Sequence, residues 1–270
     1  MPNLILQHYD GILGELEKAS VANIKAYAKM VGAEYRLIIG RPFRKWLEPA
    51  PQKCYMINEE YDEYDDVLMV DIDMFTPVGM EINVFDQVGV GMYNPVQQML
   101  HRKIVKMYPD IASADSPYWG GAIYKMGKEL RKTLRSAGES FTNDDWLQNF
   151  THYHFADEGI FHAYATRAMV PFTKDMIIDQ KWCYCSYLPN VEDAGFIHMR
   201  TKVTPQGPKR EKIENYSYGN FIIELEGLWL NEDNIWFQWN LLQAKIKTPT
   251  YLSEYSFIDE LYNLRKEGIN

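Results

Sequence analysis

The first patterned stretch of the chain, NLILQHY, is a short apolar run that turns polar at its end and predicts a strand. In the following SVANIKAYAKMVGAEYRLIIG, Val21, Ile24, Ala28 and Val31 recur at helical spacing ahead of a second strand-like run, YRLIIG. Ser20 is placed to cap that helix and Gly32 to stop it, so the opening reads as a β-α-β unit. A third apolar run, VLMV, is continuous rather than alternating, which is the pattern of a central strand buried on both faces. It is entered through an acidic stretch (Glu59, Glu60, Asp62, Glu63, Asp65) that reads as a solvated helix or loop, and it is left through Asp71 and Asp73.

Farther on, TPVGMEINVFDQVGVGMYNP is turn-rich around one more apolar strand, and SPYWGGAIYKMGKELRKTLRSAG predicts a loop, a strand and a helix. THYHFADEGIFHAYATRAM starts polar and becomes helical, and KWCYCSYLPNVEDAGFIHMRTK reads as short strands among loops. The composition changes at VTPQGPKREK, a Pro/Gly/charge-rich surface hinge or mobile loop. The tail beyond it holds Trp229, Trp236 and Trp239. With Phe237 they fit packing of the tail on the main sheet, the alternative being an aromatic lining for a sugar acceptor.

Composition narrows the class. With 270 residues, 46% hydrophobic and 24% charged, the chain is globular rather than disordered, collagenous or coiled-coil. A net charge of -9 repels polyanions and argues against nucleic acid as a partner. Cys54, Cys183 and Cys185 are too few for a disulfide framework, and the CYC pair lacks the second pair a zinc site needs, so a reducing compartment is expected. There is no uncharged run of bilayer-spanning length, and the opening lacks the basic flank and cleavage site of a signal peptide. The expectation is a soluble, cytoplasmic chain without signal or anchor.

Asp71 and Asp73 carry the first chemical suggestion. Residues two apart in an extended chain share a face, and ligands of open α/β sheets bind outside the carboxyl ends of the strands. Two like charges there are costly unless a cation compensates them, and Mg²⁺ or Mn²⁺ suits oxygen ligands. Asp-X-Asp by itself also occurs in turns and helix caps; it is the apolar strand before it that gives the pair its meaning.

YDDVLMVDIDMFTP resembles the metal-binding DXD strand of nucleotide-sugar-dependent glycosyltransferases with the GT-A fold. In that family's order, SPYWGGAIYKM resembles the loop and strand that close over the donor sugar. FADEGIFHAY resembles the acidic helix start beside the reacting centre, and GFIHMRTK the late strand whose histidine completes the metal site. The resemblance implies an α/β fold with a mixed, mainly parallel central sheet flanked by helices over residues 1–205. Residues 206–270 would be a C-terminal extension packing on that core, on the acceptor side.

The resemblance also implies roles. Asp73 and His198 would bind Mn²⁺ or Mg²⁺, and Asp71 would help through the metal or the ribose. Gln7, His8 and Tyr9 would hold the base and ribose, Gly120 and Gly121 the donor sugar, and Lys202 the diphosphate. Asp157 or Glu158 would serve as catalytic carboxylate. HMRTK lacks the glycine and proline that follow the histidine in some families. Each assignment has a plainer counterpart: a core histidine for His198, a glycine bulge for Gly120 and Gly121, favourable first-turn acids for Asp157 and Glu158. The implied reaction is transfer of a hexosyl or pentosyl group from a nucleoside-diphosphate sugar, a UDP-sugar in the first place, to a hydroxyl of a glycan or glycoconjugate. Two other classes stay open. A metal-dependent nucleotidyltransferase or phosphohydrolase would need a further acid or a glycine-rich basic loop, which QHYDG does not offer; the other is a non-catalytic carbohydrate-binding protein.

Overall fold

The computed structural model describes residues 2–13, 15–76, 80–142, 145–152, 155–185 and 194–198. In chain order the regular elements begin with β1 (Leu4–Tyr9), α1 (Glu15–Met30), β2 (Glu34–Ile39), β3 (Asp66–Val70), β4 (Met74–Phe75) and β5 (Gly91–Met92). They continue with α2 (Pro95–Met107), β6 (Gly120–Gly127), α3 (Lys128–Glu139), α4 (Asp145–His152), α5 (Ala156–Arg167), β7 (Tyr184–Cys185) and β8 (Ile197–His198). Lys202, the extension over 206–270 and its tryptophans lie outside the described residues. The chain divides into two compact units. The first is Met1–Ile12, Ala28–Ile72 and Asn83–Gln180; the second takes Leu13–Tyr27, Asp73–Ile82 and the residues from Lys181 onward.

The first unit holds a five-stranded sheet in the order β2-β1-β3-β6-β5. β1 pairs parallel with β2 and β3, β6 antiparallel with β3, and β5 antiparallel with β6. All strands but β6 therefore run the same way, and the sheet is mixed, mainly parallel and flanked by helices, as the sequence predicts. Continuous apolar runs fill its centre: Leu4–Leu6 and Val67–Val70 are fully buried, each large side chain contributing about 1.5–3 kcal/mol of apolar burial. The acidic stretch before β3 forms a short 3-10 turn, Glu59–Tyr61, and a solvated loop. From that loop Asp62 pairs with Arg135 at 2.7 Å. α2 and α4 are helices the sequence pattern did not single out; the Asn94 side chain caps α2 and Pro95 opens it.

Arg131, fully buried on α3, fastens this acidic loop to the sheet. Its guanidinium donates to the carbonyls of Met126 at 2.6 Å, Tyr64 at 2.7 Å and Tyr61 at 3.0 Å. A rigid fork of donors thus bridges the loop carbonyls to the end of β6.

The second unit holds the small sheet β4-β8-β7. α1 begins at Glu15, ahead of the expected cap at Ser20, because Glu15–Ala19 are strong helix formers that extend it. Ser20 is buried inside the helix instead, and its hydroxyl donates to the Met74 carbonyl at 2.7 Å. One turn on, Asn23 accepts from the Thr76 amide at 2.6 Å. Helical spacing therefore delivers two polar side chains to the backbone at the start of β4 and just past its end. Phe196 lies edge-on to Tyr27 and Trp182 at ring distances of 5.1 and 5.2 Å, a small aromatic core for this unit. No helix among the described residues is long and apolar enough to cross a membrane.

Arg131→Met should lower unfolding stability by on the order of 3 kcal/mol, because buried carbonyls would lose a charged donor. Urea denaturation measures this; a midpoint unchanged from wild type would show that the carbonyls find other partners.

Candidate functional site

The strand order places a topological switch between β1 and β3, whose carboxyl ends carry Gln7, His8 and Tyr9 on one side and Asp71 on the other. The Gln7 side chain donates to the Asp71 carbonyl at 3.0 Å and accepts from the Tyr35 hydroxyl at 2.9 Å. Gln7 thus ties the two strand ends together. His8 is buried, with Nε2 at 2.6 Å from the Gly40 carbonyl, and burial lowers its pKa, so it is neutral near pH 7. Tyr9 is half-buried at the strand's end.

Beside Asp71 lies a residue that sequence reasoning missed. Lys53 sits in the 3-10 segment Ala50–Ile57 and is only 9% exposed. Its ammonium is 2.8 Å from Asp71 Oδ1 and 3.0 Å from Asp157 Oδ2, and it also donates to the Gly121 carbonyl. Burial opposes a charge here; attraction by Asp157 and then Asp71 outweighs it and holds the lysine pKa above its ordinary value. The one signal in the sequence is a lysine with the apolar neighbours Cys54, Met56 and Ile57. Cys54 and Cys183 are both buried.

Asp157 and Glu158 open α5, as expected, but their partners go beyond the helix dipole. Ala156 just before them has φ +34°, a left-handed backbone costly for a residue with a Cβ. Asp157 is buried, with the Tyr124 hydroxyl donating to Oδ2 at 2.7 Å. Burial pushes its pKa up against the pull of Lys53. Glu158 accepts from the Gly121 amide at 2.8 Å and from the Tyr118 hydroxyl at 3.0 Å. Burial, then the charge of Asp157, pushes its pKa up to about 7.

Gly121 has a reason of its own to be glycine: a Cβ there would lie 2.8 Å from Asp157 Oδ2. A Cβ on Gly120 would meet the Gln97 amide at 2.9 Å. Behind Tyr118 stand His101, stacked at 5.9 Å, and His162, tilted at 5.5 Å. Burial pushes the His162 pKa down to about 4. Burial lowers the His101 pKa too, so both histidines are neutral aromatic backing for the tyrosine that holds Glu158.

In the second unit, strand register places His198. β8 pairs antiparallel with β4, His198 lying opposite Met74, the residue after Asp73. His198 Nε2 is 3.2 Å from Asp73 Oδ1, and Nδ1 is 3.5 Å from Cys183 Sγ. The ligand atoms of Asp73 and His198 are close enough to serve one ion. Burial opposes a charge on His198, but Asp73 outweighs it and holds the imidazole pKa well above its ordinary value. β3 ends at Val70 and the chain turns at Ile72–Asp73, so strand alternation is not what orients Asp71 and Asp73.

The structure thus brings Asp71, Asp157, Glu158 and Gly121 together around Lys53, and Asp73 with His198. Neither a protein-family model nor a curated protein matches the chain. Among solved structures it is similar to one described as a glycosyltransferase involved in the glycosylation of the major capsid of PBCV-1, with 14% identity and a TM-score of 0.42. That match covers 75% of this chain and 95% of the other. A likeness this distant carries no argument about function.

Removing the ammonium in Lys53→Met should cost about 3–5 kcal/mol, since Asp157 would be left as an uncompensated buried charge. Adding Asp157→Asn should restore part of that loss. Urea midpoints of the single and double variants measure both; a double variant no better than Lys53→Met would break the proposed pairing.

Glu158 gives a pH signature. Its pKa rises on folding from about 4.5 to about 7, so between these values the native state binds the proton more tightly. Its contribution to stability is present below pH 4.5 and is lost as pH rises through 7, on the order of 3 kcal/mol in all. Comparing wild type with Glu158→Gln across pH 4–8 isolates it, and a protonated-carboxyl infrared band titrating near 7 should vanish in the variant. A band that disappears near pH 4.5 would contradict the buried-acid environment.

Proposed function

We propose that this chain is a metal-dependent glycosyltransferase that moves a sugar from a nucleoside-diphosphate sugar, a UDP-sugar in the first place, to a hydroxyl of a glycan or glycoconjugate. The observation that carries the reading is the 3.2 Å approach of His198 Nε2 to Asp73 Oδ1, between residues that the DXD resemblance had paired from far apart in sequence. The donor set fits the ion. A carboxylate oxygen and an imidazole nitrogen suit Mn²⁺ better than an all-oxygen site would, and Cys183 at Nδ1 fixes the ring orientation. Asp73 and His198 would hold the ion; Asp71 enters as a further oxygen donor, or a ribose contact, on its place two residues before Asp73 in the sequence. When bound, such an ion supplies positive charge against the oxygens of a departing diphosphate.

The chain's own groups would do the rest. Glu158, less buried than Asp157 and with a pKa near 7, suits a base that takes the acceptor hydroxyl's proton. Asp157, tied to Lys53 and Tyr124, suits a positioning role. Gln7, His8 and Tyr9 would flank the base and ribose, and Gly120, Gly121 and Lys202 the sugar and diphosphate. Catalysis is assigned to residues 1–205, with 206–270 as an extension on the acceptor side.

The test is thermal stabilisation and UDP release with a panel of UDP-sugars plus Mn²⁺. One donor should raise Tm by several degrees and be slowly hydrolysed, and Asp73→Asn and His198→Ala should each abolish both effects while the unliganded variants stay folded. Glu158→Gln should cut kcat far more than donor affinity, and wild-type kcat/KM should climb with pH to a midpoint near 7. No response to any nucleotide sugar, or full activity in Asp73→Asn, overturns the reading.

A further inference from the structure

Beside β5, the last strand of the five-stranded sheet, residues 86–88, 92–95 and 177–180 line an open cavity of about 770 Å³, a size typical of small-molecule sites. Its walls are tied to each other by the chain. The Val90 amide donates to the Met176 carbonyl and the Ile178 amide to the Gly91 carbonyl, both at 3.0 Å. Where they cross, Gly89 has φ +115°, and a Cβ there would lie 2.4 Å from the Ile178 Cα. From β6, the Lys125 ammonium donates to the carbonyls of Val84 and Gln87, pinning the loop that forms another wall. Asn94 is fixed as well, its side-chain oxygen accepting from the Val96 amide at 2.9 Å. The cavity is therefore preorganised.

Its chemistry is selective. Asp86 and Asp179 present carboxylates, and Gln87, Asn94 and Gln180 present amides, beside an apolar wall that includes Met92. No lysine or arginine is among its lining residues, and the Lys125 ammonium behind the wall is taken up by the loop carbonyls, so a diphosphate would meet mainly negative charge. Carboxylates and amides accept from and donate to hydroxyls, and the apolar wall suits the C–H face of a sugar ring. The location matters equally. Met92 pairs with Gly120, and the next residue, Gly121, donates to Glu158. Along that path the cavity wall is on the order of 10 Å from the carboxylate.

We propose that this cavity is the acceptor subsite and binds a neutral glycan that presents its hydroxyl to Glu158; the assignment rests on the sugar-transfer reading above. The nucleotide end of the donor is excluded from it by charge.

Lactose, maltotriose, cellotriose and xylotriose serve as probes in saturation-transfer NMR, without nucleotide or metal. At least one should bind. Val88→Trp, which places an indole at a wall position that is 67% exposed, should weaken binding at least tenfold, and Gln87→Ala several-fold. Both changes leave the carbonyls held by Lys125 in place. Asp73→Asn should not affect oligosaccharide binding. Silence from every oligosaccharide, binding indifferent to Val88→Trp, or occupation by a hexalysine peptide instead of the sugars would overturn the subsite. Oligosaccharide binding with no hydrolysis of any UDP-sugar would instead sink the transfer reading and leave the cavity as a glycan site.

Discussion

One ammonium group sets the conditions for everything around it in the first unit. Lys53 is inserted among Asp71, Asp157 and the Gly121 carbonyl, in a place where burial disfavours any isolated charge. Because the cation is shared, the carboxyl end of β3, the entry to β6 and the start of α5 converge on one point. The strained backbone at Ala156 and the glycine at 121 are consequences of this convergence, for they let Asp157 and Glu158 approach β6 more closely than ordinary side chains would permit.

The same cluster separates the behaviour of two adjacent acids. Asp157 faces the ammonium and a phenol, whereas Glu158 faces a backbone amide and a second phenol, and it feels the charge of its neighbour. Adjacent carboxylates with different surroundings are a common way to place one acid near neutrality. Burial is the largest cause of the shift at Glu158, and Asp157 adds to it. The aromatic backing of Tyr118 by His101 and His162 is part of the arrangement, since it fixes the hydroxyl that Glu158 accepts from.

In the second unit the controlling constraint is register. A two-residue pairing of β4 with β8 sets His198 beside Asp73, and Cys183 on the far side of the ring leaves the imidazole little freedom to turn. Ser20 and Asn23 on α1 hold the backbone of Met74 and Thr76, the neighbourhood from which Asp73 projects. The unit therefore spends its buried polar side chains on positioning a short strand.

The order of strands and helices was legible along the chain because continuous apolar runs and helical spacing are local signals, and β1, β2, β3, β6, α3 and α5 follow them closely. The order of short motifs likewise singled out Asp71, Asp73, Asp157, Glu158 and His198 as candidates for chemistry. The start of α1 was not legible, since Ser20 carries a capping signal locally but is taken by a backbone carbonyl distant in sequence. Lys53 was hidden for a related reason: a lone lysine has no pattern, and its importance comes from carboxylates supplied by two other segments. The turn at Ile72–Asp73 likewise overrode the alternation expected of an extended strand. The sequence by itself determined which segments are apolar enough to build the sheet and which residues can carry charge or bind a cation. Only the tertiary structure decided which charges meet, because burial, register and shared counter-ions depend on groups far apart along the chain.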